Sequence, residues 1–264
     1  MRNRLALAPM TSCQSHADGS VSDEERDWLS QQAKAGFGMV FTCAAYVQPG
    51  GQGFPGQLGI TGEKHLPGLS RLAAAIRREG SLAMAQLYHG GMRADAGLTG
   101  QQPVSASGND RTGARALDKG EVERLIEDFV AAAIVSDRAG FDGVELHGAH
   151  GYILSQFLSA RFNRREDCYG GPLENRAHVI RAIILGIRQQ CRADFILGLR
   201  LSTERYGMDL GEIRLLTQQL MAEGNLDYID MSLWDALKKP EDASFGDHRL
   251  VDHFTGLDRG GTRL

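Results

Sequence analysis

The sequence predicts an α/β protein in which helices cover a parallel β-sheet, and two patterns carry this prediction. Short apolar strands alternate with amphipathic helices six times along the 264 residues. The strands are apolar on both faces, as strands buried between helices are. A TIM (β/α)8-type barrel is the common form of this alternation at about 250 residues, and an open doubly wound sheet is the alternative. Because only six β/α units can be counted, we expect a barrel to be incomplete.

The first half of the chain supplies three of these units. Ser22 and Glu25 form a capping box, which predicts a helix that runs to Gly36. A second helix is expected at residues 69–78. The segment 90–118 is too long for a simple connection, so we expect a functional or mobile loop there. The predicted strands of this half cover residues 5–10, 39–45 and 82–88.

The second half adds three more units. Apolar residues recur at steps of three and four between Val122 and Ile134, which predicts an amphipathic helix that ends at Gly140. A short helix is predicted at residues 153–158. The other predicted helices cover residues 175–190, 213–221 and 247–257, and the predicted strands cover residues 140–144, 195–201 and 227–231.

The composition argues against two classes of function. A net charge of −4 with scattered basic residues gives no electrostatic basis for binding nucleic acid or an anionic membrane. No apolar stretch approaches the roughly 18 residues of a membrane span, and no signal-peptide core follows the first residues. The four cysteines form no CxxC pair, so we expect reduced thiols. We therefore expect a cytoplasmic protein.

The stretch from Glu145 to Tyr152 places two imidazoles and a phenol just after a predicted strand. Loops at the carboxyl ends of parallel strands converge on one cleft, where α/β proteins hold their chemistry. On a helical turn His147 and His150 would share one face and form a metal pair, although a catalytic metal needs a third ligand. Glu145 is expected to point to the opposite side of the strand end.

Two other interpretations of these residues stay open. The imidazoles of His147 and His150 can donate hydrogen bonds to one substrate oxygen and stabilise negative charge there. They can also be two surface histidines of a loop. Tyr152 favours the substrate interpretation, because a phenol beside an oxyanion site is a suitable proton donor. We therefore predict no metal and assign catalysis to His147, His150 and Tyr152.

Gln86 and Arg200 interrupt apolar strands near their carboxyl ends. Burying an unpartnered amide costs about 1–3 kcal/mol, and burying an unpartnered charge costs several kcal/mol. Each side chain should therefore meet a ligand or another polar group. A planar ligand with imide and carbonyl groups would suit both. A structural hydrogen-bond pair inside the barrel is the alternative, and spacing alone does not separate the two.

Residues 51–56 match the dinucleotide-binding pattern GxGxxG, but their context does not fit it. Pro55 lies inside the match and no helix opens after it. No acidic residue ends a second strand about twenty residues further on. We expect a loop here rather than a nucleotide site.

Two long motifs carry a resemblance to a known family. Residues 147–159 read HGAHGYILSQFLS, and residues 163–176 read NRREDCYGGPLENR. Shorter matches include residues 8–11 (APMT), 86–89 (QLYH) and 198–200 (GLR). The chain resembles the old yellow enzyme family of FMN-dependent NADH:flavin oxidoreductases over nearly its whole length.

The resemblance implies a (β/α)8 barrel with FMN lying across the carboxyl ends of the strands. Thr11 would lie near the flavin N5, Gln86 would bind the pyrimidine edge, and Arg200 would face N1 and O2. The implied cofactor contacts are Pro9, Met10, Thr11, Ala44, Gln86 and Arg200.

The implied reaction has two halves. NADH or NADPH gives hydride to the flavin, and an α,β-unsaturated carbonyl compound then takes the same place and accepts hydride at its β-carbon. His147 and His150 would hold the substrate oxygen, and Tyr152 would supply the proton. The implied partner is a small-molecule enone or related electrophilic alkene, without nucleic acid or membrane, and the formation of homo-oligomers stays open.

Relative to this family, both ends of the chain are short. We expect one FMN-binding barrel domain over residues 1–264 in which strands seven and eight are missing. In such barrels the loops after those strands hold phosphate. Two hypotheses follow: an FMN-dependent oxidoreductase that reduces enones, or a truncated barrel fragment that keeps the substrate-site residues, does not bind FMN and is inactive.

Overall fold

Six parallel strands form the main sheet of the computed structural model, which describes residues 2–258 and 260–263. The predicted domain limits, residues 1 and 264, lie outside the described residues. The strands in chain order are β1 (Ala6–Leu7), β2 (Met39–Tyr46), β3 (Leu82–Tyr88), β4 (Val104–Ser105), β5 (Arg115–Ala116), β6 (Gly143–Gly148), β7 (Ile196–Ser202) and β8 (Tyr228–Ser232).

The strand order identifies the type of α/β fold. The main sheet runs β1, β2, β3, β6, β7, β8, and β4 pairs with β5 outside it. A doubly wound sheet reverses its strand order at a switch point, and this sheet does not. The architecture is therefore an incomplete α/β barrel, as the sequence predicted.

Helices connect the strands and cover the outer face of the sheet. Among the described residues, none of these helices is both long enough and apolar enough to cross a membrane. The helices are α1 (Asp23–Lys34), α2 (Leu66–Arg78), α3 (Ala96–Thr99), α4 (Lys119–Arg138), α5 (Ile153–Leu158), α6 (Leu173–Arg176), α7 (His178–Gln190), α8 (Leu210–Glu223) and α9 (Asp252–Thr255).

The predicted helix start at Ser22 is confirmed, but only half of the predicted capping box forms. The Ser22 hydroxyl accepts a hydrogen bond from the backbone N of Glu25 at 3.0 Å. The Glu25 carboxylate is buried and accepts from the Ser15 hydroxyl at 2.5 Å instead of returning to Ser22. A complete capping box starts α4, where Asp118 and Glu121 each accept from the other's backbone.

Four of the predicted segments differ most from the structure. The strand predicted at 5–10 pairs only at Ala6–Leu7, and the helix predicted at 247–257 is the single turn α9. The segment 90–118 contains α3, β4 and β5. The strand predicted at 140–144 begins at Gly143 and continues to Gly148, so it includes His147. For the two strands, pairing with neighbouring strands sets the ends, and the hydrophobic periodicity of the sequence does not show where that pairing stops.

The barrel is open between β1 and β8. A cavity of about 560 Å³ lies between these edge strands, closed on one side by Phe254 of α9. Beside β8, the backbone N of Arg263 donates to Asp227 O at 2.9 Å, and its carbonyl accepts from Ile229 N at 2.8 Å. Arg263 and Tyr228 thus form a parallel bridge at the free edge of β8, where the next strand of a complete barrel would pair.

Candidate active site

The three predicted catalytic side chains meet at the carboxyl end of β6. The ring centroids of His147 and His150 are 4.9 Å apart, and that of Tyr152 is 5.0 Å from His147 and 6.4 Å from His150. His147 lies within β6 and not on a helical turn, so the prediction that His147 and His150 share one face of a helix is wrong. The rings approach because His150 and Gly151 take left-handed backbone conformations (φ 60° and 73°), which turn the chain before α5.

Both imidazoles are neutral near pH 7. Burial, and then the neighbouring His150, lowers the pKa of His147 well below its ordinary value. Burial, followed by the charges of Arg200 and Arg93, lowers the pKa of His150 to about 4. The backbone N of Ala149 donates to Nδ1 of His147 at 3.3 Å, so the proton of this neutral ring is on Nε2. His147 can therefore donate a hydrogen bond to a ligand oxygen.

Contacts on both its backbone and its ring hold His150 in place. Its backbone N donates to the Ser202 hydroxyl at 2.9 Å, and its carbonyl accepts from the Arg93 guanidinium. Its Nε2 lies 2.7 Å from the hydroxyl of Ser232, a hydrogen bond in which either group can donate. The Nδ1 atom is the ring nitrogen left for a ligand.

Tyr152 lies between a buried phenol and an exposed guanidinium. Its ring packs edge-on against Tyr88, with centroids 4.5 Å apart. The Arg93 guanidinium carbon is 5.0 Å from the Tyr152 ring centroid and 5.8 Å from that of Tyr206. Burial, and then the neighbouring Tyr152, raises the pKa of Tyr88. Tyr152 is the more accessible of the two phenols, and Arg93 is a site residue that the sequence reasoning missed.

Arg200 lies beside His147 in the sheet and pairs with an acid on its other side. The Cα register runs His147, Arg200, Asp230 across β6, β7 and β8. Arg200 Nε is 3.1 Å from the Asp230 carboxylate, although the geometry of this ion pair is not that of a hydrogen bond. Burial raises the pKa of Asp230 and the Arg200 charge lowers it. Asp230 is thus the ion-pair partner of Arg200, and among residues 2–258 and 260–263 the terminal nitrogens of Arg200 have no hydrogen-bond acceptor.

Gln86 takes part in a buried network that the sequence did not predict. Its Nε2 donates to Glu145 Oε1 at 2.7 Å, and Glu145 Oε2 accepts from the Tyr228 hydroxyl at 3.0 Å. Burial, and then Asp230, raises the pKa of Glu145. The structural pair that was the alternative for Gln86 therefore exists, but its partner is Glu145 rather than Arg200.

The predicted orientation of Glu145 is wrong. Residues two apart on a strand point to the same face, so Glu145 and His147 share the inner face of β6. The charge of Arg200 acts on both of them. The signal was present in the sequence, because Glu145 interrupts an apolar strand just as Gln86 and Arg200 do.

The predicted cofactor contacts lie in two regions. One is formed by strands of the sheet, and the other is the segment that follows β1. Ala44 pairs with Gln86 in the sheet register, one strand away from Glu145. Pro9 lines the 560 Å³ cavity that Glu145 also lines. Met10, 52% exposed, and the exposed Thr11 follow Pro9 after β1. The roles of all six residues toward FMN stay predictions.

The chemistry of the donor set fits the pyrimidine edge of a flavin. Gln86 uses one N–H for Glu145, and among the described residues its carbonyl oxygen has no partner. Arg200 adds a positive charge, and within the part of the chain that the structure describes its terminal nitrogens donate no hydrogen bond. Gln86 and Arg200 are thus the residues that would hold an imide edge, one through an amide and the other through charge.

Two other predictions concern a metal ion and a dinucleotide site. Within residues 2–258 and 260–263, no group of three or more His, Cys, Asp or Glu side chains is arranged to hold a metal ion. The GxGxxG match is a loop with one short turn, as predicted. Its glycines allow close packing, since a Cβ on Gly51 would lie 2.4 Å from the His89 ring and one on Gly53 would lie 2.4 Å from the Tyr88 hydroxyl.

Sequence comparison places the chain among flavin oxidoreductases. The profile of the NADH:flavin oxidoreductase / NADH oxidase family matches residues 1–244. A probable NADH-dependent flavin oxidoreductase of Bacillus subtilis is 38% identical over 250 residues, which cover 90% of this chain and 67% of that protein. An NADH:fumarate oxidoreductase of Klebsiella pneumoniae is 37% identical over 252 residues, which cover 90% of this chain and 27% of that protein.

Structure comparison supports the barrel fold. An old yellow enzyme homologue from Zymomonas mobilis matches with a TM-score of 0.83 at 24% sequence identity, over 97% of this chain and 76% of that chain. This chain spans about two thirds of the Bacillus protein and about a quarter of the Klebsiella protein. FMN is the cofactor of the matched family. The chain belongs to the NADH:flavin oxidoreductase / NADH oxidase family, as its resemblance to the old yellow enzymes predicted.

Proposed function

We propose that this chain carries the active site of an FMN-dependent oxidoreductase that takes hydride from NADH or NADPH and reduces the C=C bond of α,β-unsaturated carbonyl compounds. The observation that carries the proposal is the cluster of His147, His150 and Tyr152, whose ring centroids lie within 6.4 Å of one another. Arg200 is the sheet partner of His147. Bound FMN would supply the hydride chemistry, and the protein would supply orientation and charge.

The two histidines would bind the substrate carbonyl oxygen. His147 would donate from Nε2, because its Nδ1 already accepts from Ala149. His150 would donate from Nδ1 in the tautomer in which its Nε2 accepts from Ser232. Two neutral donors aimed at one oxygen stabilise the negative charge that develops there as the β-carbon accepts hydride.

Tyr152 would deliver the proton to the α-carbon. It is the accessible phenol of the cluster, and its ring lies 5.0 Å from that of His147. The nearby Arg93 guanidinium would stabilise the phenolate left after transfer. The name of the Klebsiella relative, with fumarate as its substrate, supports an activated C=C bond as the group reduced.

Three further predictions from the sequence belong to this proposal. They are a cytoplasmic location, a small-molecule enone or related electrophilic alkene as substrate, and an oligomeric state that is left open between a monomer and a homo-oligomer. The pyridine nucleotide named in the relatives above is NADH, which supports NADH as one reductant.

An anaerobic flavin titration tests the function. Purified protein is mixed with FMN, desalted and examined for flavin absorbance at about one flavin per chain. NADH or NADPH should bleach this absorbance, and 2-cyclohexenone should restore it while the saturated control cyclohexanone should not. Protein that stays colourless after exposure to FMN would contradict the proposal and support the inactive-fragment hypothesis.

A further inference from the structure

The network formed by Gln86, Glu145 and Tyr228 spans four strands of the barrel. Gln86 on β3, Glu145 on β6, Gly198 on β7 and Tyr228 on β8 are consecutive partners in one row of the sheet. The row makes two side-chain hydrogen bonds, of 2.7 and 3.0 Å, which together use both oxygens of the Glu145 carboxylate. The Tyr228 side chain reaches across β7 because Gly198 has no side chain to block it.

Stability does not explain this network. Glu145 is 1% exposed, and a buried carboxylate costs several kcal/mol before its hydrogen bonds are counted. Replacing a whole buried polar network by apolar side chains of similar volume is often neutral or stabilising, whereas removing one member leaves its partners unsatisfied. Packing alone therefore does not account for three polar side chains in one row, and the hydrogen bonds of Glu145 act on the orientation of its partners.

Its direct effect is on the direction of the Gln86 amide. A glutamine amide can exchange its oxygen and nitrogen by a half-turn about its last bond. The ionised carboxyl of Glu145 has only acceptor oxygens, so it allows only one of the two orientations and turns Oε1 of Gln86 away from Glu145. Because burial and Asp230 raise the pKa of this carboxyl, the effect is strongest at alkaline pH. Gln86 is 1% exposed, so few other partners compete for its amide.

We propose that Glu145 is a positioning residue: anchored by Tyr228, it holds the Gln86 amide so that the carbonyl oxygen accepts from the imide N–H of a bound pyrimidine-like ring. This inference rests on the proposed function, in which that ring is the dioxopyrimidine edge of FMN. Its chemical consequence is selection for a ligand edge that presents an N–H donor between two carbonyl groups.

Two spectroscopic signals test the proposal without using catalytic activity. The first is the side-chain amide of Gln86 in protein without flavin, assigned by its loss in Gln86→Met. Its hydrogen-bonded N–H should exchange with solvent at least about tenfold more slowly than in Glu145→Leu, a factor that corresponds to about 1.4 kcal/mol. The second is the N3–H resonance of bound ¹⁵N-labelled FMN, which should be protected in the wild type and exposed in Glu145→Leu.

Two further variants separate positioning from packing. Glu145→Gln keeps the shape of the side chain but replaces one acceptor oxygen by an NH2 donor, so the Gln86 amide can take either orientation and both signals should weaken although the packing is kept. Tyr228→Phe removes only the anchoring hydroxyl and should weaken both, and it tests the proposal even if Glu145→Leu does not fold. Unchanged amide exchange and an unchanged N3–H signal in folded Glu145→Leu or in Tyr228→Phe would overturn it.

The outcomes also separate this inference from the proposed function. A wild-type protein that binds no FMN contradicts the proposed function, while the Gln86 amide in the same flavin-free sample still reports whether Glu145 fixes its orientation. A wild-type protein that binds FMN with an unprotected N3–H contradicts the positioning role alone.

Discussion

The ring of Tyr228 lies across the backbone of Gly198. A Cβ built on Gly198 would be 1.9 Å from Cζ of Tyr228 and 2.3 Å from its hydroxyl, which is far inside van der Waals contact. The absence of a side chain on β7 thus allows a side chain of β8 to bond to Glu145 on β6.

Gly198→Ala should therefore destabilise the protein by about 2–4 kcal/mol, the cost of overpacking plus a lost hydrogen bond to a buried acceptor. Urea unfolding measures this change. In a Tyr228→Leu background the Cβ of an alanine at position 198 would not clash with an aromatic ring. The same substitution should therefore lower the free energy of unfolding by less than about 1 kcal/mol. Equal costs in the two backgrounds would show that Tyr228 is not the obstacle.

Tyr152→Phe should slow enone reduction while leaving flavin reduction nearly intact. The phenol is required only when the α-carbon is protonated, and general acid catalysis by a positioned side chain is worth about 10²–10⁴ in rate. Stopped-flow measurement of the two half-reactions separates the effects. Tyr206→Phe is the matched control, since this tyrosine also lies beside Arg93 but is not placed in the reaction. An equal loss in both half-reactions of Tyr152→Phe would contradict the role of Tyr152.

Arg93→Met should raise the pKa of His150. The charge of Arg93 is one of the causes, after burial and Arg200, that bring this pKa to about 4. Because Arg93 is exposed and screened by solvent, we expect a rise of about half a pH unit. An NMR titration of the His150 ring measures it. Arg93→Lys keeps the charge and should leave the pKa near its original value, so a similar rise in both variants would exclude charge as the cause.

Acid should destabilise the fold partly through His89. Burial lowers the pKa of His89 to about 4, below its ordinary value near 6.5. The unfolded chain therefore binds a proton that the folded chain does not, and stability falls as the pH drops between these values. The contribution of His89 between about pH 7.5 and pH 5 is about 2 kcal/mol.

The matched variant for this effect is His89→Asn, whose amide oxygen can still accept from the backbone N of Gly91, as Nδ1 of His89 does at 3.0 Å. Urea unfolding at the two pH values should give this variant a smaller acid-induced loss of stability by about 2 kcal/mol. His147 and His150 act in the same direction in both proteins, because their pKa values are also lowered. The same loss in wild type and variant would show that His89 is protonated in the folded state.

The sequence by itself determined the barrel and the residues that face its mouth. Strands apolar on both faces and separated by helices demand a parallel sheet, and the six-strand sheet has the predicted order of units. Polar side chains in such strands stand out because burial is costly, which identified Gln86 and Arg200. The cluster of His147, His150 and Tyr152 was visible because all three lie within six residues of one strand end.

Only the tertiary structure decided which groups these residues meet. The partner of Gln86 is Glu145, the anchor of Glu145 is Tyr228, and the cation above Tyr152 is Arg93. These contacts join residues that are 59 to 83 positions apart. Strand register and burial create them, and both depend on how the whole sheet pairs rather than on any local pattern. The same register lets Tyr228 cross β7 at Gly198, a glycine that the sequence alone shows only as the first residue of the GLR motif.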